Sequence, residues 1–368
     1  MRVLLCGGGT AGHVMPAIAI AEIIEKSFKG STIAFAGRRG GDENMAYKKT
    51  GHILYTLKIS GLSRSPSINN VKSIYRLIKS GRIARKIIKE FNPDVIIGTG
   101  GYVCYPFIRQ GQRMKIKTVM HESNVYPGLV TRLLGKRCDK LLLNLEGTRK
   151  YLKRTDNTEV VGNPVRIGFT SMQKSEARQR LGIKEGELLI VSFGGSLGAD
   201  KLNEVIIEFI KKYSLKIGHL RHIHSTGRAH YDKIKKNNPE LFSNGAKIQI
   251  LPYIDNMPLL LTAADLAITR SGAMTISELC RSGTPSILVP SPNVTANHQY
   301  VNAKYMKDIG AAQLIEEKEF DLNTLSTAIK ALTQDVDLMR KMAKCAQHAY
   351  PQNTDHTIKI LLNKLINE

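Results

Sequence analysis

Four short stretches hold residues whose types and spacing could do chemistry. "GGGTAGHVMP", Gly7 to Pro16, follows an apolar run and places Gly7, Gly9 and Gly12 at the spacing of a dinucleotide-binding turn. Two more glycine turns follow apolar runs, "GTGGY" at Gly98–Tyr102 and "GGSLGA" at Gly194–Ala199. Such a turn, leaving a strand and opening a helix, lets backbone N–H groups and the helix dipole approach phosphate closely. The fourth stretch is "ITRSGAMTISELCRSGTP", Ile268 to Pro285, with a turn at Ser271-Gly272 and a helix starting near Ala273. Its first-turn N–H groups point at an anion. Glu278 falls a turn and a half later, where a carboxylate suits a ribose diol rather than a phosphate. Phosphate at the helix start and an acid for the sugar hydroxyls is the layout for a nucleoside diphosphate.

Several glycines in these turns could simply make tight strand-to-helix connections. The dinucleotide reading wants an acidic residue at the end of the second strand, but "FAGRRGGDE" puts Arg38 and Arg39 there. Arginines favour a 2′-phosphate, so an NADP oxidoreductase stays open on this loop alone. Three strand-end glycine turns instead suit a diphosphate in one half of the chain and a second phosphorylated ligand in the other. A nucleoside-triphosphatase does not fit, because Gly135-Lys136 is followed by Arg137 and lacks the preceding Walker glycine.

Positioning these turns requires strands that alternate with helices. The first half offers "RVLLC", "TIAFAG", "ILYTLKI", "DVIIGTG", "KTVMHE" and "KLLLNL", and the second "LLIVSFGG", "RHIHSTG", "KIQILPY", "DLAITRSG" and "PSILVPS". That pattern predicts an α/β fold with parallel sheets in two Rossmann-like halves facing a cleft. The expected domains are 1–163 and 164–350, with a hinge in "VVGNPVR", Val160 to Arg166. A C-terminal helix at about 351–368 packs back on either half. The chain has 368 residues, 42% of them hydrophobic and 23% charged, as in a globular protein. "MRVLLC" is too short for a secretory signal, and no apolar run is long enough to span a membrane. Five scattered cysteines, none spaced as CxxC, argue for a reducing compartment and against structural zinc.

The net charge of +23 is uneven, with 28 Lys and Arg against 11 Asp and Glu through Pro164. This half should meet nucleic acid, an anionic membrane or a phosphorylated substrate. Asn69 to Phe91 reads as a basic amphipathic helix, with Gly81 a candidate break and Ile74, Tyr75 and Ile78 on one side. Lys72, Arg76, Lys79, Arg82, Arg85, Lys86 and Lys89 are its cations. It could lie on anionic lipid or be an ordinary core helix with a basic outer face. Nucleic acid is disfavoured because no aromatic residues interleave as stacking platforms.

"GGGTAGHVMPAIAIA", "GTGGYVCYP", "HESNVYPGLVTRLL", "VVGNPVR", "SFGGSLGADKLN", "PYIDNM", "TRSGAMTISEL" and "NHQYVNA" occur in the order and spacing of one family. The chain resembles the MurG glycosyltransferases from Arg2 to about Glu316. The resemblance implies a GT-B fold and transfer of N-acetylglucosamine from UDP-GlcNAc to lipid I, the undecaprenyl-diphosphate-linked muramoyl-pentapeptide. The product would be lipid II of peptidoglycan synthesis. It implies no cofactor and no metal, with an anionic membrane and other cell-wall synthesis proteins as partners, and no nucleic acid. The protein would be peripheral, on the cytoplasmic side of the cell membrane. By resemblance, Thr10, Ala11, Gly12 and Asn124 reach the donor from the first half. Arg166 and Ser196 match diphosphate contacts, and Ile254 matches the uracil contact. Ala273, Met274, Thr275, Ile276, Ser277 and Glu278 supply the helix start and the ribose acid. Gln299 matches a GlcNAc contact. Two departures stand out: Ala11 where many relatives have glycine, and His298 where some have a second glutamine.

The expected chemistry is a single inverting displacement at the anomeric carbon by the acceptor's C4 hydroxyl, which needs a base. His13 is the leading candidate, although it could instead bind acceptor diphosphate or cap its helix. Glu122 is a second candidate base, or orients His13. Arg166 and the helix at Ala273 would stabilise the departing UDP without a metal. Asp335-Val336-Asp337, the one literal Asp-x-Asp, reads as solvated surface within a charged C-terminal helix. The rivals are another GT-B enzyme, such as a diacylglycerol glycosyltransferase, and a non-catalytic GT-B scaffold.

Overall fold

A computed structural model describes all residues except 42, 60–67, 166–168, 170–171, 196–197, 244, 246, 295–296, 352 and 368, and omits the side chains of 11 and 68–78. The chain forms two compact units, one of Met1–Pro164 with Pro351–Glu368 and the other of Val165–Tyr350.

Unit 1 is built on seven parallel strands: β1 (Arg2–Cys6), β2 (Thr32–Arg38), β3 (Ile53–Leu57), β4 (Val95–Gly98), β5 (Lys117–Glu122), β6 (Lys140–Leu143) and β7 (Thr158–Val160). Their order is 3-2-1-4-5-6-7. Val3, Leu4, Leu5 and Cys6 are wholly buried, as in a parallel sheet covered on both faces. The order reverses between β1 and β4, whose carboxyl ends form the crevice where such sheets bind ligands. Helix α1 (Ala11–Ser27) leaves β1, α2 (Glu43–Lys48) follows β2, α3 (Ile68–Phe91) precedes β4, α4 (Cys104–Arg113) follows β4 and α5 (Leu129–Leu134) follows β5.

Unit 2 carries six parallel strands: β8 (Leu188–Phe193), β9 (Leu220–Ser225), β10 (Ile248–Leu251), β11 (Leu266–Thr269), β12 (Ser286–Leu288) and β13 (Ala312–Leu314). Their order is 10-9-8-11-12-13, with the reversal between β8 and β11. Its helices include α6 (Lys174–Arg180), α7 (Asp200–Phe209), α8 (Arg228–Asn237), α9 (Met257–Ala263), α10 (Ala273–Ser282), α11 (His298–Asp308), α12 (Leu322–Gln334) and α13 (Val336–Ala349). The last helix, α14 (Thr354–Asn367), belongs to unit 1. Helix α1 is apolar on more than one face, and Ile358, Leu361, Leu362 and Leu365 of α14 share a core with its Ile20 and Ile24.

Two sequence expectations change. Helix α3 runs unbroken through Gly81, where a Cβ would come within 3.2 Å of Gln110 Nε2 of α4. Glycine there allows two helices to approach; it does not end one. Ala84, Ile87, Ile88 and Phe91 bury the inner face of α3, while Arg82, Arg85, Lys86 and Lys89 are exposed. Ile74, Tyr75, Ile78, Lys72 and Arg76 have side chains outside the described set. Val160 closes a strand, so the connection between units begins at Val161. Asp335, Val336 and Asp337 are exposed, as expected of solvated surface, and Asp335 caps α13, accepting from Leu338 N–H at 2.8 Å.

Beneath the end of β8 lies a buried polar chain. Ser192 Oγ is 2.8 Å from both His222 Nε2 and His224 Nδ1, and Ser214 Oγ is 3.2 Å from His222 Nδ1. His224 Nδ1 also approaches the Ser192 carbonyl at 3.2 Å, which fixes its proton there. Ser192 then donates to His222 Nε2, and His222 Nδ1–H donates to Ser214. A further proton on His224 would sit on Nε2, which is buried without a partner. Burial holds His222 down to about 3 and His224 to about 4. Unfolded histidines titrate near 6.5, so below that pH the unfolded chain takes up protons that the folded one refuses. Unit 2 is therefore expected to lose about 2 kcal/mol per histidine between pH 7 and pH 5. Urea titrations across that range measure the loss, and His224→Asn should shrink it.

Candidate functional site

In unit 1 the candidate residues gather at the carboxyl ends of β1, β4 and β5. Thr10 is the N-cap residue of α1, and its carbonyl accepts from His13 N–H at 3.0 Å. His13 Nδ1 is 3.0 Å from the Gly8 carbonyl oxygen and 3.2 Å from Thr10 Oγ1. A carbonyl oxygen can only accept, so the neutral ring carries its proton on Nδ1 and its lone pair on Nε2. The ring lies against the next turn: a Cβ on Gly100 would collide with its Cδ2, and one on Gly101 with the Gly8 carbonyl. Both glycines have positive φ, +112° and +79°. Thr99 Oγ1 donates to the His13 carbonyl (2.7 Å) and Tyr47 OH to the Gly7 carbonyl (3.1 Å).

Helix α1 contains Pro16, which has no N–H to give the Gly12 carbonyl four residues back. Ser123 Oγ donates to that carbonyl at 3.2 Å, joining the first turn of α1 to the end of β5. Ser123 is itself held by Asn144, whose Nδ2 donates to its carbonyl at 2.9 Å, while Asn163 N–H donates to Asn144 Oδ1 at 2.7 Å. His121 Nε2 donates to the Gly162 carbonyl at 3.1 Å, and burial lowers its pKa. The "HES" segment is thus tied to both the first loop and the chain leaving unit 1.

Glu122 is 5% exposed and its carboxylate is fully engaged. Oε1 accepts from Asn124 N–H at 3.0 Å; Oε2 accepts from Gly128 N–H at 2.9 Å and Thr131 Oγ1 at 2.7 Å. These bonds hold the loop from Glu122 to α5, with Asn124 half-buried in it and its carbonyl accepting from Thr148 Oγ1 at 3.2 Å.

In unit 2 the turn from β11 to α10 faces the start of α11. Gly272 is the N-cap of α10 and brings no side-chain acceptor to the first-turn amides. Met274 and Thr275 are half-buried, whereas Ala273, Ile276, Ser277 and Glu278 are buried, Glu278 at 8% exposure. Ser271 Oγ donates to the Gln299 carbonyl (2.8 Å), Asn302 Nδ2 donates to the Ser271 carbonyl (3.1 Å), and Gln299 Oε1 accepts from Ser291 N–H (2.9 Å). Gln299 is therefore fixed beside the amino end of α10. Arg270 braces the same turn from below, donating to the Val289 carbonyl (3.0 Å) and pairing with Glu317. Ile254, 3% exposed, lies just before α9, which packs on α10. Arg166 and Ser196 lie outside the described residues. The sequence reading placed Ser271 in its turn but gave no role to Thr99, Ser123 or Asn302; of these three only Ser123 had a signal, the missing N–H of Pro16.

Residues 3–143 match the glycosyltransferase family 28 N-terminal domain, and residues 189–356 the C-terminal domain of the same family. Over 347 residues the chain is 40% identical to the UDP-N-acetylglucosamine–N-acetylmuramyl-(pentapeptide) pyrophosphoryl-undecaprenol N-acetylglucosamine transferase of Acetivibrio thermocellus, spanning 94% of this chain and 93% of that one. The protein of the same description from Caldanaerobacter subterraneus is 38% identical over 98% of both chains. The chain belongs to the MurG family of glycosyltransferases. The crystal structure of Acinetobacter baumannii MurG aligns with a TM-score of 0.78 at 25% identity, covering 98% of this chain and 99% of that one. The S. aureus MnaA–UDP complex, at 12% identity and a TM-score of 0.66 over 100% of this chain and 98% of that one, shares the fold alone. Two Rossmann-like α/β domains of the GT-B class are the architecture of this family member.

Ser123→Ala removes the one side-chain donor to a carbonyl that Pro16 leaves without its helical partner. It should lower the stability of unit 1 by about 1–3 kcal/mol, read from denaturant unfolding.

Proposed function

We propose that this protein transfers N-acetylglucosamine from UDP-GlcNAc to the C4 hydroxyl of undecaprenyl-diphosphate-muramoyl-pentapeptide, with inversion at the anomeric carbon. The observation that carries the reading is the 40% identity over nearly the whole chain to a transferase of that description. The local geometry supports the chemistry at both switch points.

Nε2 of His13 is the base. The Gly8 carbonyl holds the proton on Nδ1, so the lone pair at Nε2 takes the proton of the attacking hydroxyl as the new C–O bond forms. Glu122 acts by holding its loop, since its lone pairs already accept three donors. Thr10, Ala11, Gly12 and Asn124 line the acceptor-side loops and reach toward the sugar. In unit 2, the amino end of α10 at Ala273 to Thr275 faces the pyrophosphate, and its dipole favours the charge that grows on departing UDP. Arg166 and Ser196 add diphosphate contacts. Glu278 takes the ribose hydroxyls, Ile254 the uracil, and Gln299 a hydroxyl of the transferred sugar through its amide nitrogen.

Among the described residues no helix is long and apolar enough to cross a membrane. A lipid-linked acceptor then calls for peripheral attachment, and the exposed cations of α3 supply a surface for anionic lipid. Flotation with vesicles should depend on their anionic fraction.

The deciding experiment is transfer of labelled GlcNAc from UDP-GlcNAc to a lipid I analogue, with the product's anomeric configuration read by NMR. A β product from the α donor is expected; preference for UDP-glucose or a diacylglycerol acceptor would refute the assignment. His13→Ala should cut kcat by about 10²–10⁴-fold while the affinity for UDP-GlcNAc changes little. Glu278→Ala should weaken inhibition by free UDP by about 10–100-fold, the loss of hydrogen bonds to a charged group.

A further inference from the structure

One buried acid beside the first glycine turn has no part in the transfer as described so far. Glu43 opens α2, a few residues past the end of β2, and is 5% exposed. Two glycines make room for it: a Cβ on Gly8 would come within 2.7 Å of Glu43 Oε1, and one on Gly41 would collide with the carboxylate. Oε1 accepts from Arg38 N–H at 2.9 Å. No ion pair among the described residues involves Glu43. A carboxylate is costly to bury without a countercharge. Closing the turn at Arg38 does not call for that charge, because a glutamine oxygen would accept the same bond.

What lies on the other side of Gly8 is His13, whose Nδ1 donates to the Gly8 carbonyl at 3.0 Å. With one peptide between them, the carboxylate and the ring are within about 9 Å of each other. Gly7 and Gly8 are buried, so little water screens the pair. The other titratable groups around it are Cys6 of β1, Arg38 of β2, Tyr47 of α2, Tyr102 and Cys104 at the start of α4, and His121 and Glu122 of β5. Burial pushes the Cys6 thiol and the Tyr47 phenol well up and His121 down, which keeps all three neutral. The Glu122 carboxylate is shared among three donors of its own loop. Arg38 gives the acid its backbone N–H and no ion pair. Glu43 is left as a buried charge directed at the Gly8 peptide.

A base that takes a proton from a hydroxyl becomes a cation, and a nearby fixed anion lowers the energy of that state. We infer that Glu43 is a positioning residue for the transfer: across the Gly8 peptide, its carboxylate favours the cationic form that His13 adopts once the acceptor's proton has moved to Nε2. Glu43 itself takes no proton and touches no substrate. The inference rests on the reading of His13 as the base.

Glu43→Gln keeps the size and the bond to Arg38 and removes only the charge. In the full chain without substrate, the pH at which the His13 ring signals titrate by NMR should fall by about one unit, the Coulomb effect of one charge at that separation. The acidic limb of kcat/KM should move to lower pH with it, because the ring stays neutral further down. At the plateau kcat should fall about three- to tenfold, as for a weaker base, while KM for UDP-GlcNAc holds. A purely structural role would depress the rate at every pH and leave both midpoints in place, and that result overturns the inference. Wild-type protein supplies a check that needs no variant: the Glu43 carboxyl ¹³C signal should step at the pH where the His13 ring titrates. Absence of that step overturns the inference too. Neither NMR titration needs turnover, so a coupled pair in a protein that fails to modify a lipid I analogue would refute the reaction and leave the coupling standing.

Discussion

A backbone carbonyl oxygen can accept a hydrogen bond and never give one, and at Gly8 that constraint sets the tautomer of the neutral His13 ring in unit 1. It fixes which nitrogen of His13 carries the proton and leaves the other with its lone pair. The rest of the crevice preserves this geometry. Gly100 and Gly101 have no side chains to displace the ring or the Gly8 carbonyl. Thr99 and Tyr47 pin the loop from the neighbouring elements, and Ser123 replaces the donor that Pro16 lacks. These supports come from three segments of the chain, the turn at Thr99–Gly101, Tyr47 and Ser123, so the loop is positioned from several elements at once.

Unit 2 reaches a similar solution with other residues. Its strand order, 10-9-8-11, repeats the 3-2-1-4 of unit 1, and the reversal again falls beside a glycine turn. There the fixed object is the start of α10, held by hydrogen bonds among Ser271, Gln299 and Asn302 and braced by Arg270. A helix dipole is useful to a departing diphosphate only if it does not have to reorganise, and these bonds supply that rigidity.

Much of this was legible in the sequence because parallel strands buried on both faces read as short apolar runs. All eleven runs named from the sequence are strands, and each glycine turn follows one. The two strands missed, β7 and β13, are three residues long and lie at sheet edges. Gly81 reads as a helix break in sequence because its reason, the approach of α4, is tertiary. The three donors to Glu122, a second candidate base by sequence, are hidden there because two of them are backbone amides, which composition does not reveal. Ser123 and Gly12 are 111 positions apart, beyond any local pattern.

The proposed transfer depends on the tautomer of His13. Long-range ¹⁵N–¹H correlation spectra of the neutral protein, with the His13 signals assigned by their loss in His13→Gln, read it directly. His121 serves as an internal reference, since its Nε2 donates to the Gly162 carbonyl and it must show the opposite tautomer. A protonated Nδ1 and an unprotonated Nε2 are expected at His13. A proton on Nε2 would contradict this, because the ring would then have no lone pair for the incoming hydroxyl.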